Sequence, residues 1–145
     1  MRQSFLIVLL SMGMLTSYAQ ESKKVVVPAS VISTFAKAYP NVKDVEWEAE
    51  GQNFEADFEL SKKEWSVLYD AKGNLLQTEE EISAKQLPKA ALEYISSNIN
   101  KAKVEEAARI TDANGVVTYE AEVNELDIIF DSNGQYLRTE LSQKD

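Results

Sequence analysis

"LYDAKGNLLQTE" (residues 68–79) and "IFDSNGQYLRTE" (residues 129–140) follow the same pattern, and this repetition decides the fold. In each stretch, apolar and aromatic residues lead to an Asp, a Gly follows within a short polar segment, and a strand-like tail ends in Thr-Glu. A polar segment of this kind between two apolar runs is typical of a tight turn that joins antiparallel strands. The chain therefore contains the same hairpin twice.

The residues before each hairpin also match between the two copies. The stretch "FEADF" (54–58) corresponds to "YEAEV" (119–123), and "VPASVISTFAKAYPN" (27–41) corresponds to "LPKAALEYISSNIN" (87–100). A unit of about 60 residues has only a marginal hydrophobic core of its own. We therefore expect the two copies to share one sheet and to stabilise each other.

Each copy begins with apolar residues at helical spacing. In the first copy they predict a helix over 29–38, which Pro40 ends because a proline disfavours helical conformation in the residue before it. The predicted apolar sides consist of Val31, Ile32, Phe35 and Tyr39 in the first copy, and of Leu92, Ile95 and Ile99 in the second.

After each helix, apolar and polar residues alternate, which is the pattern of strands with one buried and one solvated face. The predicted strands lie within 42–50, 53–60, 64–70 and 74–79, and then within 104–111, 116–124, 126–131 and 135–141. The predicted fold class is α+β, with two tandem repeats that each contain a helix and a four-stranded antiparallel meander. Both helices are expected on one face of the sheet. The aromatic residues predicted for the core are Trp47, Phe54, Phe58, Trp65, Tyr69, Tyr119 and Phe130.

The N-terminus has the layout of a secretory signal peptide. Arg2 supplies the positive start, an apolar stretch follows, and small residues precede a predicted cut after Ala19. The apolar stretch is shorter than the roughly 20 residues that cross a bilayer. We predict a periplasmic or secreted protein with no membrane insertion after cleavage. The predicted segments are the signal peptide 1–19, a tail 20–26, the first repeat 27–80, a linker 81–86 and the second repeat 87–142.

The composition excludes several classes of function. The 145 residues carry a net charge of −9, and such an acidic balance disfavours binding to nucleic acid. The chain has no Cys and no His, so it can form neither disulfides nor the usual zinc sites and nucleophilic triads. Nor does it contain a Gly-rich phosphate loop. We therefore predict no catalytic residue, no metal ligand and no cofactor.

Acidic residues alternate with apolar ones along several predicted strands and define the candidate binding residues. They would form an acidic strip that binds a basic protein or peptide. The simpler alternative is the solvated face of a sheet covered on one side only. A third interpretation, acid–base catalysis as in glycosidases, requires a pocket that raises one carboxyl pKa. The candidate residues are Glu46, Glu55, Asp57, Glu59, Glu120 and Glu122.

Three short segments resemble the beginning of a calcium loop: "DAKGN" (70–74), "DANGV" (112–116) and "DSNGQ" (131–135). A helix–loop–helix calcium loop has an oxygen ligand at its third position and a Glu at its twelfth. Counting from Asp70 places Lys72 at the third position, and counting from Asp131 places Ser142 at the twelfth. We therefore interpret all three segments as hairpin turns.

Together these residues resemble the PepSY-like family, which is also described as beta-lactamase-inhibitor-like. The resemblance rests on Val27-Pro28, Trp47, Phe54-Glu55-Ala56, Tyr69-Asp70 and Gly73, and in the second copy on Leu87-Pro88, Tyr119-Glu120-Ala121, Phe130-Asp131 and Gly134. The second copy lacks the tryptophan, since Glu106 or Ala107 stands near the position of Trp47. The resemblance implies a helix-on-sheet fold in an exported, non-enzymatic protein, and it transfers no inhibitory residue.

The function predicted from the sequence is an exported binding module for a protein or peptide, in which the acidic open face of the sheet forms the contact. Inhibition of another protein is a special case of this function. The alternative is an envelope protein that binds a small ligand or calcium.

Overall fold

The computed structural model describes residues 25–100 and 102–142, which form two α-helices and one antiparallel sheet of eight strands. The predicted signal peptide lies outside the described residues. Each strand pairs with its neighbours in the chain, so the sheet is a continuous meander. In chain order the elements are α1 (Ala29–Ala38), β1 (Glu46–Glu50), β2 (Asn53–Leu60), β3 (Lys63–Tyr69), β4 (Leu75–Glu81), a 3₁₀ helix (Ala84–Gln86), α2 (Lys89–Asn98), β5 (Glu106–Asp112), β6 (Val117–Val123), β7 (Leu126–Asp131) and β8 (Tyr136–Leu141).

Proline residues determine where the helices begin. Pro28 and Pro88 precede α1 and α2, and each has an extended backbone whose carbonyl accepts a hydrogen bond from the first turn. The helix predicted over 29–38 is confirmed at both ends. Within the described chain, neither helix is long and apolar enough to span a bilayer.

The turns at Asp70, Asp112 and Asp131 are hairpin turns, as predicted, and each Asp organises its own turn. In all three, the Asp carboxylate accepts hydrogen bonds from the backbone N–H groups two and four residues later, at 2.8–2.9 Å. The pKa of Asp70 is lowered, first by the side chain of Asn74 and then by backbone N–H donors. These carboxylates are thus occupied with backbone donors rather than arranged around a cation.

The helices cover one face of the sheet. In the first half, Val31 and Phe35 of α1 pack on Ala56, Phe58 and Val67. In the second half, Ala91 and Ile95 of α2 pack on the equivalent strands, with Ile128 and Phe130 fully buried. All the aromatic residues predicted for the core belong to one of these two clusters or pack against it. The predicted antiparallel sheet and helix packing are therefore confirmed.

Ile32 lies on the predicted apolar side of α1 but not in the core. It shares this side with Phe35 and Tyr39, while 42% of its surface is exposed. The helix turns 100° per residue, so a position next to Val31 lies at the margin of the buried stripe. In the structure Ile32 lines a groove beside β1 instead.

The two halves meet where β4 pairs with β5. Five residue pairs join the strands, from Gln77 with Asp112 to Glu81 with Ala108. The ladder continues beyond β4, because the N–H of Ile82 donates to the carbonyl of Ala107 at 2.9 Å. The segment predicted as a linker therefore contains the end of β4 and the 3₁₀ helix.

We predict that Gly134→Ala destabilises the protein more than Gly115→Ala. Both glycines have φ near +80°, which costs any other residue about 1–2 kcal/mol. Only at Gly134 would the new Cβ lie 2.7 Å from Pro88 Cβ and 2.8 Å from the backbone nitrogen of Ala91, whereas nothing lies within 4 Å at Gly115. Urea denaturation should show an extra loss of about 1–3 kcal/mol for Gly134→Ala, in the range of overpacked sites. Equal losses would contradict this helix-to-turn packing.

Candidate functional site

The face of the sheet opposite the helices carries most of the carboxylates. Residues that are paired across antiparallel strands point to the same face, so the strand register identifies its members. One row runs from Glu46 on β1 through Asp57 and Ser66 to Glu79 on β4. We call this surface the open face, because in the described residues neither helix packs on it.

All six predicted site residues lie on the open face, in two groups. Glu46, Glu55, Asp57 and Glu59 belong to strands β1 and β2 at one end of the sheet. Glu120 and Glu122 belong to β6, and strands β3, β4 and β5 lie between the two groups. The sheet therefore does not bring all six residues into one cluster.

The first group is unevenly exposed. Glu46 and Glu59 are exposed, while Glu55 and Asp57 are half-buried. The Ser66 hydroxyl of β3 donates a hydrogen bond to the Glu55 carboxylate. Because Ser66 also lies opposite Asp57, neighbouring strands partly cover these carboxylates and hold them in place.

The second group is more deeply set. Only 7% of Glu122 is exposed, so the expectation of a uniformly solvated strip is wrong at this position. The pKa of Glu120 is raised from its ordinary 4.5 to about 7. Burial is the largest cause, and the carboxylates of Glu79, Asp127, Glu140 and Glu122 contribute the rest. Burial and like charge disfavour ionisation of the same carboxyl group. This side chain is therefore partly protonated at neutral pH.

Three further acidic residues and a cation, none of them predicted from the sequence, belong to the second group. Glu79, Asp127 and Glu140 reach it from β4, β7 and β8, and the Arg138 guanidinium Nε–H donates to Glu140 at 2.6 Å. Alternation along the separate strands did not show that these residues share a face with Glu120. Strand order and register were needed to show that they are neighbours.

Two cavities border the helices, and none of the six candidate residues lines either of them. The pocket that acid–base catalysis would require is therefore not formed around these glutamates in the cavities described. Within residues 25–100 and 102–142, no group of three or more carboxylates is arranged to hold a metal ion.

A separate apolar groove of about 220 Å³ runs between α1 and the outer strand β1. It is lined by Ile32, Phe35, Ala36, Tyr39, Pro40, Val42, Val45 and Trp47. The groove lies on the helix side of the sheet, so it is distinct from the open face.

A family model described as "putative beta-lactamase-inhibitor-like, PepSY-like" matches residues 16–77 and again residues 76–138. This chain belongs to the PepSY-like family. The two matches confirm the family resemblance and the tandem repeat predicted from the sequence. No curated protein matches this PepSY-like chain.

Solved structures share the fold. A BLIP-like protein from Bacteroides fragilis is 26% identical with a TM-score of 0.67, and the alignment covers 83% of this chain and 92% of that protein. A protein from Bacteroides eggerthii described as "putative periplasmic" is 17% identical with a TM-score of 0.73, covering 81% and 90%. A DUF2874 family protein from Bacteroides uniformis is 19% identical with a TM-score of 0.71, covering 79% and 89%. This PepSY-like chain therefore has the same fold as these three bacterial proteins.

We predict that Glu120→Gln flattens the pH dependence of stability in this PepSY-like protein. The pKa of Glu120 is raised in the folded state, so between about pH 4.5 and 7 the folded protein holds a proton that the unfolded protein has lost. Stability from this group is therefore fully present below pH 4.5 and is lost as the pH rises through about 7. The loss is at most about 1.4 kcal/mol per pH unit, and less where solvent screens the group.

Urea denaturation from pH 4.5 to 8 measures this effect. Glu50→Gln, at the β1–β2 turn, controls for removal of a negative charge as such. If Glu120→Gln and wild type lose stability in parallel between pH 4.5 and 8, Glu120 is not the group whose pKa is raised.

Proposed function

We propose that this PepSY-like protein is an exported, non-enzymatic binding module whose open face contacts a basic protein or peptide. The observation that carries the proposal is the raised pKa of Glu120, whose burial and four neighbouring carboxylates disfavour its charged form. A cationic side chain placed among these carboxylates would favour ionisation of Glu120 and relieve the repulsion. Like-charged residues on neighbouring strands destabilise a sheet, so a partner that pairs them contributes binding energy.

The proposed location is the bacterial envelope. The N-terminal residues have the features of a cleaved signal peptide ending at Ala19, and the similar protein from Bacteroides eggerthii is described as periplasmic. The absence of cysteine fits either a periplasmic or an extracellular protein that relies on its core for stability. Inhibition of an enzyme is one form such binding can take, and the BLIP-like protein with the same fold makes this form worth testing.

Binding steered by the open face should be sensitive to salt and to charge removal. The bait is residues 20–145, incubated with a periplasmic extract of the producing cells. We expect one partner whose recovery falls as ionic strength rises, because the Debye length shrinks from about 10 Å at 0.1 M to 3 Å at 1 M. A variant with Glu59→Gln and Glu120→Gln should lose that partner.

A matched control shows whether loss of the partner depends on where negative charge is removed or only on the net charge of the protein. The double variant Glu93→Gln and Glu125→Gln removes at least as much negative charge from exposed positions outside the open face. It should retain the partner. Recovery of the partner by both double variants, or its loss from both, would contradict a role for the open face.

A further inference from the structure

The outer strand β1 and the groove beside it form a second surface. Among the described residues β1 pairs with β2 alone, so its other side presents backbone donors and acceptors. The apolar groove of about 220 Å³ lies at the beginning of β1, where Trp47 and the preceding residues Val42 and Val45 face helix α1. An exposed strand edge is a template for an additional strand, and a groove beside it can accept alternate side chains.

The second half of the chain shows how the equivalent edge is occupied. Trp47 pairs with Ala56, and Ala107 pairs with Ala121 at the matching place in the repeat, so Trp47 and Ala107 are equivalent. The carbonyl of Ala107 accepts a hydrogen bond from the N–H of Ile82 at 2.9 Å. The Ile82 side chain is 8% exposed and belongs to the second core. At this edge, then, one residue supplies both a backbone donor and a buried aliphatic group.

The first copy has no aliphatic residue at the sequence position that corresponds to Ile82. In the sequence, Leu87-Pro88 matches Val27-Pro28, so Ser22 is the residue that corresponds to Ile82. A serine lacks the apolar side chain that fills the second core. The occupant of the groove is therefore expected from another protein.

Charge disfavours a second copy of this chain as that occupant. Antiparallel pairing of two β1 strands would set Glu46, Glu48 and Glu50 of one copy against the same residues of the other. Pairing β8 with β1, in the register of the β4–β5 junction, would place Glu140 opposite Glu50. Like charges directly opposite one another destabilise a sheet. A partner with basic residues would instead be attracted.

We propose that β1 binds an extended segment of another protein as an additional antiparallel strand with the pattern basic–aliphatic–basic. The aliphatic side chain enters the groove beside Trp47, and its backbone N–H donates to the Trp47 carbonyl, as Ile82 does to Ala107. The two basic side chains lie on the opposite face of the added strand, beside Glu46 and Glu48. The inference goes beyond the proposed function, because it needs neither Glu120 nor Glu122.

The test measures binding of a fluorescein-labelled peptide, Thr-Lys-Val-Lys-Ile-Lys-Thr, to residues 20–145 by fluorescence anisotropy. We expect saturable binding that is weakened at least tenfold when the three lysines are replaced by glutamates. N-methylation of the Val and Ile backbone nitrogens should also weaken it at least tenfold, because it removes the donors. Equal binding of all three peptides would overturn the proposal, as would no binding of the lysine peptide.

Two variants locate the site. Ala49→Pro removes a backbone N–H that an added strand would need. Ala49 is two residues from Trp47, so the N–H groups of both residues point away from β2. The hydrogen bonds between β1 and β2 are therefore kept. Glu48→Lys reverses an exposed charge without touching the backbone. Each should weaken binding at least tenfold. The matched control Glu106→Lys, at the position equivalent to Glu46 in the second half, should bind within twofold of wild type.

Other outcomes separate this site from the Glu120 group of the open face and from self-association. Glu120→Gln should leave peptide binding unchanged, so failure of either proposal leaves the other measurable. Binding that persists in both Ala49→Pro and Glu48→Lys would overturn the assignment to β1. Sedimentation of wild type as a dimer that Ala49→Pro dissociates would show that a second copy occupies the edge, and would also overturn it.

Discussion

The pairing of β4 with β5 is the interaction on which the rest of the structure depends. Each half has a small core of its own, and a unit of that size is marginally stable alone. The junction continues the backbone ladder through Ile82 and places that side chain in the second core. On the helix side of the junction, the Glu80 carboxylate forms an ion pair with Lys63. Glu80 also lies opposite Arg109 of β5, so its negative charge has a basic residue on each neighbouring strand. One continuous sheet results from two similar units.

This junction also determines which surfaces can bind. Because the halves join side by side, both helices lie on one face and the carboxylates of both halves share the other. Glu79 of the first half then comes close enough to Glu120 of the second to raise its pKa. The junction covers the edge of β5 but leaves β1 at the end of the sheet. The open face and the β1 edge are therefore two consequences of a single strand pairing.

Local sequence patterns predicted most of the fold. Asp and Gly in the repeated segments predicted the hairpin turns, because an Asp carboxylate can bind the turn's own N–H groups and Gly tolerates positive φ. Proline and helical spacing predicted α1 to the residue. The exposure of Ile32 was not predictable, because periodicity does not show how wide the buried stripe of a helix is. Alternation along the strands correctly placed the six candidate carboxylates on one face.

The candidate site was less predictable, because it depends on contacts between distant parts of the chain. Strand alternation does not give the depth of a side chain, so the burial of Glu122 was unexpected. It also does not give register, so the approach of Glu79, Asp127 and Glu140 to Glu120 could not be foreseen. The equivalence of Trp47 with Ala107, rather than with Glu106, likewise required the pairing of both residues with the matching alanines of β2 and β6.

Amide hydrogen exchange at the β4–β5 junction, followed by NMR, shows whether the two halves unfold as one sheet. The reporters are the N–H groups of Ile82 and Ala113, which donate across the junction to Ala107 and Leu76. The comparison is the N–H of Glu105, which donates to Glu122 within the second half. A single cooperative sheet predicts that junction amides exchange as slowly as amides within each half, through global unfolding. Junction amides that exchange orders of magnitude faster than the rest would show two separate units and contradict the account.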